Sequence, residues 1–315
     1  MNFKYSYSRL FFSLLFNMSV ILNNTDIDDI IAHFNSPKLI RRDLELFING
    51  SRGVKIGKRF LDKYMFRHRA RCTGGEGRNF FEYLQDWLNA WETGDFKSHK
   101  IYPCYQKIYL IKEHDNPLSL LRSIYSLHER MPQHFSPNIM VSLIETLRSI
   151  NPNITKVFDP CAGWGGRLLG SVQCGLHYKG LDTNIALENS YRGLIDELKT
   201  IPKYQSFKMK FIVADCMEYQ ITKPLQCIVT SPPYFNIEKY PNTPIRSRHE
   251  WTQWYIQFFE KYYGALMENG LLALNIPESI YEILMTIRPA DVSIPFQKVE
   301  RKTTNYKEFF YIWIK

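Results

Sequence analysis

Residues 157–166 read Val-Phe-Asp-Pro-Cys-Ala-Gly-Trp-Gly-Gly. A short apolar run ends in an acidic residue and a glycine-rich turn, after which residues 164–173 suit a helix. Glycines let a ligand approach the backbone, and a helix N-terminus offers unpaired N–H groups. The stretch therefore predicts a strand–turn–helix unit that can bind a ligand, although turns of this kind also occur with none. Leu168 stands where a dinucleotide-binding fingerprint requires its last glycine, so that fingerprint is absent.

The remainder of the C-terminal half alternates in the same way. Strands are predicted over 178–181, 210–213, 227–229 and 271–276, helices over 137–150, 186–198 and 250–267, and a final hairpin over 292–301 and 308–315. This alternation is typical of a doubly wound sheet, in which ligands sit at the carboxyl ends of the strands. The predicted fold class is α/β, a doubly wound Rossmann-like sheet with a C-terminal β-hairpin, plus a mainly helical N-terminal region.

Polar residues stand at three further strand ends. Asp182 can accept both hydroxyls of a ribose or cap the helix that follows, and Asp215 can accept from an adenine amino group or serve as a turn residue. Residues 231–234, Ser-Pro-Pro-Tyr, follow the fourth strand. Proline cannot donate to a strand ladder and forces the preceding residue into extended geometry. This segment predicts a stiff corner that ends in a flat aromatic ring.

Positive charge is concentrated in the N-terminal part of the chain. The 315 residues carry a net charge of +9, and residues 38–78 hold 12 Lys or Arg against 4 Asp or Glu. A focused basic block favours a polyanion partner, because neutralised phosphates release counterions. A solvated basic face without a partner is the alternative. The candidate contacts to phosphates or base edges are Arg52, Lys55, Lys58, Arg59, Arg67, Arg69 and Arg71.

The six cysteines form no CxxC pair, which favours reduced thiols of an intracellular protein over a disulfide framework or a metal site. No apolar run approaches the ~20 residues of a membrane span. Residues 1–23 are predicted to be an N-terminal extension, because their apolar stretch is interrupted and lacks the cleavage site of a signal peptide. Met18 is an alternative start. We therefore expect a protein that is neither secreted nor bound to a membrane.

Taken in order, these features resemble a known family, the S-adenosylmethionine-dependent amino-methyltransferases, which methylate exocyclic amino groups, chiefly on DNA bases. The family hallmark is Asp, Asn or Ser followed by Pro-Pro and an aromatic residue, often preceded by Asp-Pro-Phe-Ala-Gly-Ser-Gly. The matching residues are Ser231-Pro232-Pro233-Tyr234 and Asp159-Pro160-Cys161-Ala162-Gly163-Trp164-Gly165. The resemblance implies a methyltransferase catalytic domain over about 132–315. The helical basic region, residues 24–131, would then recognise DNA.

The resemblance also implies S-adenosylmethionine as the cofactor. Asp159 and Gly163 would line its methionine part, Asp182 would hold the ribose and Asp215 the adenine amine. Cys161 and Trp164 replace the aromatic and small polar residues usual in the family. The implied cofactor-binding residues are Phe135, Ser136, Asp159, Cys161, Ala162, Gly163, Gly165, Asp182, Asp215 and Cys216.

The implied catalytic residues are Ser231, Pro232, Pro233 and Tyr234. Ser231 Oγ and the Pro232 carbonyl would accept the N–H groups of the target amine. Tyr234 would stack on a base that is single-stranded or flipped out of a duplex. In the family, serine at the first position favours N4 of cytosine over N6 of adenine. Arg246 and Arg248 would lie over the target strand.

Two other functions agree with the same sequence. The substrate could be RNA or a protein side-chain amide, and a degenerate, non-catalytic DNA-binding subunit would keep the fold without the reaction. The intact acids and the Ser-Pro-Pro-Tyr motif argue against the non-catalytic alternative. The oligomeric state and a companion restriction nuclease stay open.

Overall fold

The computed structural model describes residues 37–72, 79, 81–82, 134–236, 245–296 and 307–315. The predicted N-terminal extension lies outside these ranges, as do residues 24–36 and most of residues 73–131 of the predicted helical region. Within the described residues, no helix is both long and apolar enough to span a membrane.

Seven strands form one sheet in the order β3-β2-β1-β4-β5-β7-β6. The first five strands are parallel to one another, and β7 runs antiparallel to both of its neighbours. The prediction of a doubly wound Rossmann-like sheet is confirmed. The strands are β1 Lys156–Asp159, β2 His177–Asp182, β3 Met209–Val213, β4 Leu225–Thr230, β5 Leu266–Pro277, β6 Val292–Pro295 and β7 Glu308–Ile314.

Seven α-helices are assigned within the described residues. The helices predicted over 137–150, 164–173, 186–198 and 250–267 lie close to their predicted positions, because each combines an apolar face with a start or stop signal. The helix over Glu278–Leu284 was not predicted. Ser247, for example, caps its helix reciprocally with Glu250. The helices are α1 Pro37–Ile48, α2 Lys58–Arg69, α3 Pro137–Ile150, α4 Gly166–Gln173, α5 Leu187–Thr200, α6 Arg248–Gly264 and α7 Glu278–Leu284.

The C-terminal strands pair as predicted but occupy an unforeseen place. β6 and β7 form an antiparallel pair, and β7 also pairs along its length with β5, with Ala273 opposite Ile312. The last strand in the chain thus lies between the two strands that precede it. This insertion brings residues of β7 beside the end of β5.

The chain divides into two compact units. One comprises residues 37–68 and 133–315, and the other comprises residues 1–36 and 69–132. In the first unit, fully buried apolar side chains of α2, among them Phe60, Leu61 and Met65, add to the core. The boundary predicted near residue 131 differs from this division. It assigns α1 and most of α2 to the N-terminal region, whereas residues 37–68 belong to the same compact unit as residues 133–315.

Candidate active site

The carboxyl ends of the parallel strands bring the predicted site residues to one edge of the sheet. Asp159 is the last residue of β1 and Asp182 the last of β2. Asp215 lies two residues beyond β3, and Ser231 directly follows β4. Ligands of doubly wound sheets bind at this edge.

One hydroxyl group joins the glycine-rich turn to the proline corner. Thr230 Oγ1 donates to Asp159 Oδ1 at 2.8 Å and accepts from the Cys161 N–H at 3.2 Å. Thr230 is fully buried, so water does not compete for these bonds. The two motifs that carry the family resemblance therefore contact each other through the residue that precedes Ser231.

Asp159 anchors the turn. Its other oxygen, Oδ2, accepts from Arg167 Nε at 2.8 Å and from the Tyr178 hydroxyl at 2.7 Å, and the residue is fully buried. Arg167 also donates to the Cys161 carbonyl. A buried carboxylate is tolerated when it is paired and hydrogen-bonded in this way. Asp159, predicted to line the methionine part of the cofactor, is instead committed to protein partners and fixes the shape of the turn.

Gly163 is the open position of the turn. Its φ of +56° lies in the left-handed region, and its N–H donates to Asp182 Oδ2 at 2.9 Å. A Cβ placed on Gly163 would have no heavy atom nearer than 4.0 Å. The space beside this backbone is therefore open, and the contact of Gly163 with the cofactor stays a prediction.

The next two glycines are enclosed by protein. A Cβ on Gly165 would lie 3.0 Å from Leu194 and 3.3 Å from Leu61, and one on Gly166 would lie 1.8 Å from the Phe135 carbonyl oxygen. These positions need glycine so that neighbouring elements can pack against the turn. The predicted ligand contact at Gly165 is replaced by a packing role.

Asp182 keeps the capacity to bind a ligand. Its Oδ1 accepts from the Asn184 N–H at 3.0 Å, and its Oδ2 takes the Gly163 N–H. Burial raises the pKa of Asp182, and these backbone bonds partly oppose that shift. Each carboxylate oxygen has a second lone pair, so two ribose hydroxyls can still be accepted.

The loop after β3 offers one exposed acid and one buried thiol. Asp215 is exposed, and its Oδ1 accepts from the Met217 N–H at 2.7 Å, as expected for a turn residue. That bond leaves its carboxylate able to accept from an adenine amine as well. The buried Cys216 thiol lies beside Cys161, and their hydrogen bond, together with burial, raises the pKa of Cys161 well above the usual thiol value. Ala162 is buried, and its N–H donates to the Leu181 carbonyl at 2.7 Å.

Phe135 and Ser136 support the turn from outside. The Ser136 hydroxyl is buried and donates to the Val54 carbonyl at 2.9 Å, which corrects its predicted contact with the cofactor. The half-buried Phe135 ring faces the Arg167 guanidinium at 5.1 Å and the Phe310 ring at 5.9 Å. Phe135 therefore packs against the buried arginine and the glycine turn, whereas Ser136 bonds to the loop that contains Val54.

The proline corner is tied to the sheet through its tyrosine. The Tyr234 hydroxyl lies 2.7 Å from Ser231 Oγ, 2.8 Å from the Asn275 carbonyl oxygen and 2.9 Å from Glu308 Oε1. Pro232 is buried, whereas Ser231, Pro233 and Tyr234 are half-buried. The structure thus gathers the four predicted catalytic residues at the sheet edge and fixes the tyrosine by its hydroxyl.

Helix α6 clamps the far side of the corner. The Tyr255 hydroxyl donates to the Pro233 carbonyl at 2.7 Å and accepts from the Phe235 N–H at 2.8 Å. Trp251 Nε1 donates to Asn236 Oδ1 at 3.0 Å. Phe235 has a φ of +50°, which is strained for a bulky side chain and persists only where the surroundings enforce it. These bonds supply that enforcement.

The predicted nucleic-acid contacts differ in exposure. Arg69 is only 1% exposed, so its predicted contact with a phosphate or base edge is wrong. Arg52 is exposed but forms an ion pair with Glu145. The other exposed candidates are Lys55, Arg59, Arg71 and Arg248, and the half-buried ones are Lys58, Arg67 and Arg246.

Two of these cations lie close to the corner. The Arg248 guanidinium stacks 3.8 Å from the centre of the Phe235 ring, and Arg246 lies 4.8 Å from the Trp251 ring. Arg248 is therefore an exposed positive charge next to the segment that follows Tyr234.

Four residues that contact the corner were not predicted. Thr230 directly precedes the motif, whereas the other three lie on elements distant in sequence, namely Tyr255 on α6, Asn275 on β5 and Glu308 on β7. Thr230 had a local signal, since a polar residue ends an otherwise apolar strand. Among the described residues, no cluster of three or more His, Cys, Asp or Glu side chains could hold a metal ion.

Comparison with known proteins gives matches only among solved structures, since no family model and no curated protein sequence matches the chain. An rRNA methylase from Streptococcus thermophilus matches with a TM-score of 0.39 and 13% identity over 55% of this chain and 94% of that one. A possible methylase from Clostridium difficile 630 matches with a TM-score of 0.40 and 14% identity over 55% and 52%. A 16S rRNA N2 methyltransferase from T. thermophilus, in complex with AdoMet and guanosine, matches at 0.39 and 14% over 58% and 44%. At this similarity, conclusions on function rest on the site itself.

Proposed function

We propose that this protein transfers a methyl group from S-adenosylmethionine to an exocyclic amino group of a flipped DNA base, with N4 of cytosine favoured over N6 of adenine. The contact of Thr230 with both motifs is the observation that carries the proposal. Through Asp159 and Cys161, the start of the glycine turn lies directly beside the start of the Ser-Pro-Pro-Tyr corner. A donor bound at the turn would then lie next to an acceptor bound at the corner.

The residues at this edge fit the proposed cofactor. The open space beside Gly163 admits a ligand against the backbone. Asp182 has lone pairs left for two ribose hydroxyls, and the exposed Asp215 has acceptor capacity for an adenine amine. When bound, S-adenosylmethionine supplies a methyl group on a positively charged sulfur.

The corner offers hydrogen-bond acceptors that would make an exocyclic amine more nucleophilic. Such a nitrogen is a weak nucleophile, because its lone pair is delocalised into the ring. Ser231 Oγ and the Pro232 carbonyl would accept its two N–H groups and favour a pyramidal nitrogen whose lone pair is free. This is electrostatic preorganisation, and the prolines fix it without a ladder partner.

In the proposed transfer, the nitrogen lone pair would form the new N–C bond while the C–S bond breaks with its electron pair on sulfur. The surplus N–H proton would pass to water after the new bond has formed. Alignment of nitrogen, carbon and sulfur matters more here than a strong base. The bonds from Tyr255 and Thr230 to the corner serve that alignment.

Tyr234 would hold the target base. Flipping a base out of a duplex costs a few kcal/mol, and stacking on an aromatic ring offsets roughly 1–3 kcal/mol of that cost. A ring whose hydroxyl is already fixed by Glu308 and Asn275 loses little freedom when a base stacks on it.

Mass spectrometry of nucleosides tests the proposal. Plasmid DNA from a methylation-deficient bacterial strain is incubated with the protein and S-adenosylmethionine, digested to nucleosides and analysed. We expect N4-methylcytosine, and none from a Ser231→Ala control. N6-methyladenine would correct the base, whereas methyl groups found only in parallel RNA or protein samples, or in none, would overturn the assignment to DNA.

A further inference from the structure

Among the described residues, four oxygen atoms lie within hydrogen-bond distance of the Tyr234 hydroxyl. These are Ser231 Oγ at 2.7 Å, the main-chain oxygen of Asn275 at 2.8 Å, Asn275 Oδ1 at 3.2 Å and Glu308 Oε1 at 2.9 Å. Asn275 Nδ2 donates to the Phe309 carbonyl at 3.3 Å, which fixes its amide with Oδ1 toward the tyrosine. Asn275 is buried and Glu308 is half-buried, so this group is partly shielded from water.

The chemistry of the four oxygens sets the direction of the bonds. A carbonyl, an amide oxygen and an ionised carboxylate only accept, whereas a serine hydroxyl both donates and accepts. The tyrosine has one proton. If it pointed at Ser231, the phenol lone pairs would face three further acceptors, among them the Glu308 carboxylate. The lower-energy arrangement has Tyr234 donating toward Glu308 and Asn275, and Ser231 donating to the Tyr234 oxygen.

We infer that Glu308 is a positioning residue, which acts through Tyr234 to make Ser231 Oγ an acceptor for the N–H of the target amine. The inference rests on the proposed function. With its proton committed to Tyr234, Ser231 presents lone pairs at the corner. An amino group then meets an acceptor, whereas a ring oxo group, which only accepts, meets a repulsive partner. The same direction of the hydrogen bonds therefore favours an amino base such as cytosine over an oxo base such as thymine.

Glu308→Gln tests the inference, with methyl transfer to the same plasmid DNA as the assay. A glutamine can turn its NH₂ group toward the phenol, which permits Tyr234 to donate to Ser231 and removes the preference. We expect kcat to fall at least about tenfold, the worth of one hydrogen bond of ~1.4 kcal/mol. The dissociation constant of S-adenosylmethionine, measured by calorimetry, should change less than about threefold. Glu282→Gln, on the exposed face of α7, is the matched control and should leave both values unchanged.

Two further variants separate this role from general support of the fold. Tyr234→Phe removes the hydroxyl and keeps the ring, so it interrupts the same chain of bonds. In the double variant with Glu308→Gln, kcat should fall no further than in the more severe of the two single variants. Ser231→Asp introduces an oxygen that only accepts, and it should restore part of the activity in the Glu308→Gln background. The inference would be overturned if the fold losses in kcat of the two single variants multiply in the double variant, or if Glu308→Gln is fully active.

Neutron diffraction from deuterium-exchanged crystals gives a result that does not depend on the substrate. We expect a deuteron on Ser231 Oγ pointing at the Tyr234 oxygen. A deuteron on Tyr234 pointing at Ser231 would overturn the inference whatever the substrate. A wild-type protein that methylates no DNA would overturn the proposed substrate alone, and the neutron density would still decide the direction of the bond.

Discussion

Gly163 and Gly165 stand two positions apart and serve different purposes. Both have positive φ, but the space beside Gly163 is open while Leu194 and Leu61 close on Gly165. The backbone at Gly163 is accessible to a ligand, whereas the backbone at Gly165 packs against Leu194 and Leu61. The glycine-rich turn is thus a ligand surface on one side and a packing surface on the other.

Alanine at each position separates the two roles. We expect Gly163→Ala to weaken S-adenosylmethionine binding at least about tenfold by calorimetry, with a stability loss of about 1 kcal/mol from the left-handed φ. Gly165→Ala should lose about 1–3 kcal/mol more stability, because the methyl group overpacks the contact with Leu194. Gly264→Ala, with no atom within 4 Å, should stay within about 0.5 kcal/mol of wild type in urea unfolding. Equal effects of the two substitutions on binding and stability would contradict the distinction.

The thiol beside the turn should react slowly. The bond with Cys216 and burial raise the pKa of Cys161, and burial raises the pKa of Cys174 to about 11. A raised pKa keeps a thiol protonated, and only the thiolate attacks alkylating reagents. Between pH 7 and 9, iodoacetamide should label the unfolded chain progressively faster while Cys161 in the folded protein stays slow. Peptide mapping measures both rates, and labelling of folded Cys161 at the unfolded rate would refute the pairing of its thiol with Cys216.

Among the elements, α1 and α2 are joined by one acidic side chain. Asp43 of α1 is buried, and its two oxygens accept from the N–H groups of Gly57 and Phe60 at 3.0 and 3.1 Å. The Phe60 N–H lies in the first turn of α2 and the Gly57 N–H directly precedes that turn, where N–H groups lack an intrahelical partner. Asp43 therefore caps α2 from a neighbouring helix and fixes the helix that packs on Gly165.

Removing that cap should loosen the unit. Asp43→Ala should lower the free energy of unfolding by about 1–2 kcal/mol, because two N–H groups lose their acceptor. Glu45→Ala on the exposed face of the same helix should change it by less than about 0.5 kcal/mol. Chemical denaturation compares the two. An Asp43→Ala variant as stable as Glu45→Ala would show that the cap contributes nothing.

The strands of the sheet were predictable because each is a short apolar run between turn signals. The order of the last strands was not, because nothing local in residues 308–314 indicates pairing with β5 rather than at the sheet edge. Glu308 and Asn275 reach the corner only through that pairing. The role of Gly165 was misassigned for a related reason, since a glycine needed for packing looks the same in sequence as one needed by a ligand.

At the scale of the whole molecule, the predicted nucleic-acid contacts that the structure describes differ in their exposure and pairing. Arg69 is buried, Arg52 is paired with Glu145, and the exposed candidates span several elements. Arg248 is the exposed cation whose contact with Phe235 places it beside the corner. A polyanion bound at the active edge would therefore depend on Arg248 more than on Arg52.

Charge removal at these two positions tests that dependence. Arg248→Ala should weaken binding to duplex DNA and reduce the slope of log K against log salt concentration by about 1. Because Arg52 is already paired with Glu145, Arg52→Ala should leave the affinity and the salt slope nearly unchanged. Fluorescence anisotropy over a salt series measures them. Loss of affinity in Arg52→Ala, with Arg248→Ala unaffected, would place the nucleic acid on another surface.

The central claim is that donor and acceptor meet between the glycine turn and the proline corner. A crystal structure with sinefungin, which carries an amine in place of the transferable methyl group, tests it most directly. We predict ribose hydroxyls on Asp182, the ligand backbone beside Gly163, and the amine directed at Ser231 and the Pro232 carbonyl. Sinefungin bound elsewhere, or bound at the turn with its amine directed away from Ser231 and Tyr234, would contradict the account.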